Sequence, residues 1–107
     1  MRLAVAATLA IGLTAAAAPV AADPVETGRA IVTANCAPCH AVGHAGASPD
    51  PAAPAFRILA RRWPLNHLEE ALAEGIVVGH STVQMPEFVF DPEEISAIIA
   101  YLETIQE

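Results

Sequence analysis

The five residues Cys36-Ala37-Pro38-Cys39-His40 constrain this chain more than any other stretch. They form a C-x-x-C-H box, which is the pattern of c-type haem attachment. Two thiols three positions apart can each add to one vinyl group of a haem, and the next residue supplies an imidazole as proximal ligand to the iron. Rival uses of two cysteines fit less well. A structural zinc site takes four ligands, and the chain has no third cysteine. His40 and His44 could be recruited, but their spacing from the box does not match the familiar finger patterns. A thioredoxin-like C-x-x-C belongs in a βαβ context, and the sequence has little strand pattern. A plain disulfide between Cys36 and Cys39 remains open, since an oxidising compartment permits one. His40, directly after the pair, favours haem.

Residues 1–22 read as an export signal rather than as part of the fold. Arg2 supplies a minimal positive region, Leu3 to Ala18 carries no charge, and Val20-Ala21-Ala22 offers the small residues a signal peptidase reads. Cleavage is expected after Ala22, before Asp23. The apolar run is near the lower limit for a membrane span and is rich in weakly hydrophobic alanine, so no stable membrane insertion is expected.

What remains, residues 23–107, is one small domain. A chain this short buries a marginal core and is often stapled. A covalent haem would serve as both staple and core. Aromatic residues are few (Phe56, Trp63, Phe88, Phe90 and Tyr101), as suits packing around a large flat cofactor. The net charge of −7 becomes −8 once Arg2 leaves with the signal, and there is no lysine. That balance excludes nucleic acid and acidic membrane surfaces as natural partners. It suits a redox partner with a basic docking surface, although a strong net charge also serves solubility alone.

The elements read as helices and loops. Asp23 caps a first helix, with Pro24 in its first turn, Glu26 three residues beyond the cap, and Val25, Gly28, Val32 and Cys36 along one face. Gly28 inside a helix costs about 1 kcal/mol against Ala, so a close neighbour is expected there. Residues 41–53 are loop, and His44 within it reads as an exposed histidine. Pro54 to Arg62 reads as a short helix ended by Trp63-Pro64. Leu65, Leu68, Leu72 and Ile76 mark the next helix, stopped by Gly75, with His67, Glu70 and Glu74 on its opposite face and therefore in solvent. Val77 to Phe90 is loop. Asp91, Pro92 and Glu94 form the start of a last helix with a capping box, and Ile95, Ile98, Ile99 and Leu102 form its stripe, widened by Tyr101 and Ile105. A stripe that broad needs two neighbours. Glu69-Glu70 and Glu93-Glu94 point in different directions on their helices, and no catalytic constellation is present. The fold class is all-α.

With these parts in place, residues 23–107 resemble the small monohaem class I c-type cytochromes. The helix running into CAPCH, Pro54-Ala55-Phe56, Met85-Pro86-Glu87-Phe88 and Ile99-Ala100-Tyr101-Leu102 occur in that family's order and spacing. The resemblance implies a cytochrome c fold of about three main helices around one haem c, attached through Cys36 and Cys39. It also implies periplasmic location, because such proteins receive their haem after export. His40 corresponds to the proximal ligand and Met85 to the distal one. Met85 is the only methionine outside the signal, its thioether is a soft neutral ligand, and Pro86 stiffens its loop. The other use of such a residue is gap-filling in the core, and His80 in the same loop is the rival ligand. The carbonyl of Pro54 should accept the Nδ1 hydrogen of His40, and Gly28 should meet Tyr101 where the first and last helices cross. Arg57, Arg61, Arg62 and Trp63 are the choices for holding the haem propionates. The function so implied is one-electron transfer, as a soluble shuttle or as the cytochrome subunit of a dehydrogenase or other oxidoreductase, and not catalysis. The alternative is a haem enzyme or small-ligand-binding protein whose Met85 is absent from the iron or labile.

Overall fold

The computed structural model describes residues 1–18, 22–75 and 85–107. Val20 and Ala21 of the expected cleavage site, Ile76 of the expected second long helix, and Gly79 and His80 of the loop after it lie outside the described residues. The elements are α1 (Pro24–Asn35), a 3-10 segment (Phe56–Arg61), α2 (Leu65–Glu74) and α3 (Pro92–Ile105). Among the described residues there is no strand, and the chain is all-α as its patterning requires. Residues 1–18 form neither helix nor strand, and Leu3, Leu9 and Ile11 stand exposed there.

The two long helices begin where their sequence punctuation places them. The Asp23 carboxylate accepts the Val25 amide at 3.0 Å, which satisfies one of the orphan donors of the first turn of α1. At the start of α3 the arrangement is reciprocal. The Asp91 carboxylate accepts the Glu94 amide at 2.8 Å, and the Glu94 carboxylate accepts the Asp91 amide at 3.3 Å. The Glu94 backbone N–H, as the largest influence, holds the Asp91 carboxyl below its ordinary value of 3.8. A depressed folded-state pKa means that the cap's contribution is present above the unfolded aspartate value and is lost as pH falls through the folded one. Asp91→Asn should therefore keep the cap, since Asn accepts equally well. Its thermal midpoint should fall less steeply than the parent's between about pH 5 and pH 2. Parallel acid profiles for the two proteins would show that the Asp91 carboxylate carries none of the acid sensitivity.

Helices α1 and α3 cross at Gly28. A Cβ built on Gly28 would overlap the carbonyl oxygen of Ala97, lie 2.6 Å from that carbonyl carbon and 2.9 Å from Cβ of Tyr101. The glycine is there because the backbone of α3 occupies the space a side chain would fill. Around the crossing Val32, Ile95, Ile98, Ile99, Tyr101, Leu102 and Ile105 pack into one core with Phe56 and Leu59 of the 3-10 segment. The broad stripe of α3 thus has its two neighbours. One side meets α1, and on the other Ile98 and Leu102 border a cavity. The Tyr101 hydroxyl donates to the carbonyl of Val42, tying α3 to the loop after the box. Helix α2 ends at Gly75, whose φ of +79° is left-handed and suits glycine at a helix C-terminus.

One local expectation is corrected, and two others stand. The short helix expected over Pro54–Arg62 is a 3-10 turn confined to Phe56–Arg61, preceded by an extended Ala55. Phe88 to Phe90 is loop, as expected. Its two rings stack at 5.7 Å, and Val89 between them is 90% exposed. His67 is exposed as expected, yet it also borders the cavity.

Candidate functional site

Helix α1 delivers the box into a tight turn. The Cys36 amide still donates to Val32 as the last helical bond, and the Cys36 carbonyl then accepts from both Cys39 (3.1 Å) and His40 (2.9 Å). Both cysteines are half-buried free thiols. Burial pushes the Cys36 thiol up to about 11, with the neighbouring Cys39 adding to the effect. A thiol held neutral in this way is a poor metal ligand and a poor redox nucleophile at neutral pH. Among the described residues no group of three or more His, Cys, Asp or Glu side chains gathers to hold a metal ion. A zinc site thus finds no gathered ligand set among the described residues.

His40 is buried. Its Nδ1 lies 2.7 Å from the carbonyl oxygen of Pro54. A carbonyl accepts and cannot donate, so Nδ1 carries the hydrogen and Nε2 carries the lone pair suited to a metal. The Phe56 ring packs on the imidazole with centroids 4.7 Å apart and planes tilted by 37°. The loop that returns from His40 to Pro54 is stitched to itself: the Ala41 amide donates to Ser48 Oγ at 3.0 Å, and the Phe56 amide donates to the Ala41 carbonyl at 2.9 Å.

These residues open onto a cavity of about 500 Å³, within the range of roughly 300–1,000 Å³ usual for cofactor sites. Its wall is made by Val32, Phe56, Leu59, Ile98 and Leu102, by Leu65, Leu68 and Leu72 of α2, and by Phe88 and Phe90. Cys36, His40, Pro54 and Met85 border the same space. Cys39 sits in the turn without lining it, and His44 is exposed in the loop beyond. Beyond the box, the ionisable side chains on this wall among the described residues are Arg62 and His67. A large apolar group with one polar edge fits such a lining, with cysteine and imidazole at its border.

The four residues named for the propionates divide. Arg57 donates to the Gly46 carbonyl at 2.8 Å, and both Arg57 and Arg61 lie 3.8 Å from the Glu107 carboxylate. Arg62 and Trp63 instead border the cavity, with the Arg62 guanidinium 6.0 Å from the centre of the Trp63 ring. His67 joins them. A helical wheel sets it opposite the leucines of α2, but the cavity reaches past the edge of that apolar face. The sequence carries no signal for that. Ala97, which meets Gly28, is equally silent because a small residue on a helix has no distinctive mark.

Comparison with curated proteins and with solved structures yields no match. The family comparison does: residues 23–102 match the family described as cytochrome c oxidase, cbb3-type, subunit III. The matched span runs from the cap of α1 through the box and the cavity wall to Leu102 of α3. The chain therefore belongs to this family of monohaem c-type cytochrome domains, an electron carrier holding one haem c through Cys36 and Cys39 of its C-x-x-C-H box.

Proposed function

We propose that residues 23–107 act as a periplasmic one-electron carrier whose iron is held between His40 and Met85. The observation that carries this reading is that His40, oriented by Pro54, and Met85 border a single apolar cavity. Haem supplies a one-electron iron couple when bound. The residues supply the rest. Cys36 and Cys39 fasten the group, His40 gives a basic nitrogen whose tautomer Pro54 fixes, and Met85 gives a soft neutral sulfur that favours the reduced state. Two protein ligands leave no position for a substrate, so the domain carries electrons rather than performing chemistry. The apolar wall keeps water away, and Arg62 and Trp63, the cavity-facing pair, take the propionates by forked hydrogen bonding and indole N–H donation.

The acidic balance of the chain supports docking to a basic face on a redox protein, with electrostatic steering of the encounter. Among the described residues no helix is long and apolar enough to cross a membrane. The matching family's description names an oxidase subunit, which supports work within a respiratory complex as readily as free shuttling. Copurification with a larger oxidoreductase assigns the first role, and a lone carrier the second. Export is tested by the mass of the secreted protein, which should begin at Asp23.

Met85→Ala is the direct test of ligation. The haem should remain attached, the near-infrared sulfur-to-iron band should vanish from the oxidised protein, and the reduction potential should fall. The reduced variant should bind carbon monoxide rapidly. An unchanged spectrum and potential would remove Met85 from the iron. Rapid carbon monoxide binding by the unaltered protein would favour the ligand-binding alternative instead.

A further inference from the structure

The side chain of Gln106 sits where the end of α3 meets the wall behind His40. Its Nε2 donates to the Phe56 carbonyl at 2.8 Å and to the Leu102 carbonyl at 2.9 Å, and its Oε1 accepts the Ala60 amide at 2.8 Å. Three of the four hydrogen-bonding capacities of a carboxamide are thus used on backbone. Phe56 and Ala60 are four residues apart, the pair an α-helix would join directly. The carboxamide is inserted between them instead. The neighbouring Glu107 amide donates to the Arg57 carbonyl at 2.9 Å. The residues after α3 therefore take up backbone groups at the start of the 3-10 segment. That accounts for a 3-10 turn where the sequence reads as helix.

The segment held this way carries the environment of the imidazole. Phe56, whose carbonyl Gln106 holds, lays its ring on His40, and Pro54, two residues earlier, accepts the Nδ1 hydrogen. We propose that Gln106 is a positioning residue for the haem iron, acting through the 3-10 segment to hold the Phe56 ring and the Pro54 carbonyl against His40. This rests on His40 being the proximal ligand. A strong Nδ1–H bond makes the imidazole a better donor and stabilises oxidised iron. Loosening the segment weakens that bond and favours the reduced state.

The test compares haem-bearing Gln106→Met, which keeps the side chain's length and removes all three bonds, with Gln106→Glu, which keeps the acceptor and loses both donors. Ile105→Val, a buried change in the same turn, serves as a control for simple destabilisation. In the reduced protein, the Gln106→Met variant should raise the reduction potential, shift the His40 ring N–H resonance and speed its exchange with solvent by about tenfold. Gln106→Glu should lie between it and the parent, and Ile105→Val should lower the thermal midpoint without moving either His40 signal. If both Gln106 variants lose thermal stability while potential and His40 resonance stay at the parent's values, Gln106 is a brace only and the proposal fails. A parent protein with a c-type spectrum but no ligated His40 would instead overturn the ligand reading on which it rests.

Discussion

Replacing Cys36 and Cys39 together by alanine should give a protein that holds no covalent haem and does not fold. The denatured protein, stripped by acidified organic solvent, should keep no haem absorbance, and its far-ultraviolet circular dichroism should fall toward that of a coil. The magnitude follows from the cavity. An apolar space of about 500 Å³, at about 24 cal/mol for each Å³ left unfilled, corresponds to an upper limit of about 12 kcal/mol. That equals the whole stability of an ordinary small domain, about 5–15 kcal/mol. Water entering the open side reduces the figure, but Val32, Leu59, Ile98 and Leu102 would still face it. Each single alanine variant keeps one thioether position and should show impaired attachment. Normal covalent haem in the double variant would overturn the role of the box.

Gly28→Ala should destabilise the haem-bearing protein by about 1–3 kcal/mol, against the usual direction for this substitution in a helix. The new methyl group would meet the Ala97 carbonyl and Cβ of Tyr101, and the former is backbone that no rotamer change can move. Relief requires α1 and α3 to separate, which loosens the core around Val32 and strains the Tyr101 bond to Val42. For a domain of this size each kcal/mol lowers the thermal midpoint by roughly 4–8 °C. A midpoint equal to or above that of the parent would mean that the helices part easily. In that case the crossing does not need a glycine.

The features legible in the sequence were those whose physics is local. Asp23 with Pro24, and Asp91 with Pro92 and Glu94, announce helix starts because a cap is made within three residues of itself. The box announces its chemistry by the spacing of its cysteines together with the histidine that follows them. Gly28 could be read because a glycine in an otherwise well-formed helix is an anomaly that only a close neighbour explains. Illegible features were those made by distant partners. Gln106 reads as a polar residue after a helix, and nothing near it in the chain says that Phe56 and Ala60 will be its partners. The 3-10 form of Phe56–Arg61 follows from that same distant contact, so a periodicity argument finds only a helix. His67 is exposed, as its helical wheel predicts, but its place at the cavity is not legible there. The wheel places a side chain around its own axis and does not report how far a neighbouring cavity extends. The charge balance gave the domain's overall sign, but not that Arg57 and Arg61 are occupied near Glu107 while Arg62 remains at the cavity.

The crossing at Gly28 and Ala97 also bears on the order in which this chain folds. It joins the first helix of the domain to the last, so the contact that closes the core lies between the two ends. Closing so long a loop precedes any gain from the contacts it makes, and folding slows accordingly. The box, by contrast, lies at the end of α1 and its turn is made by local bonds alone. Until α3 docks on α1, the cysteines stand on a chain whose core is still open. The architecture leaves an interval in which the cofactor can be fastened to an unfolded chain, and it makes docking of the final helix the step that ends that interval.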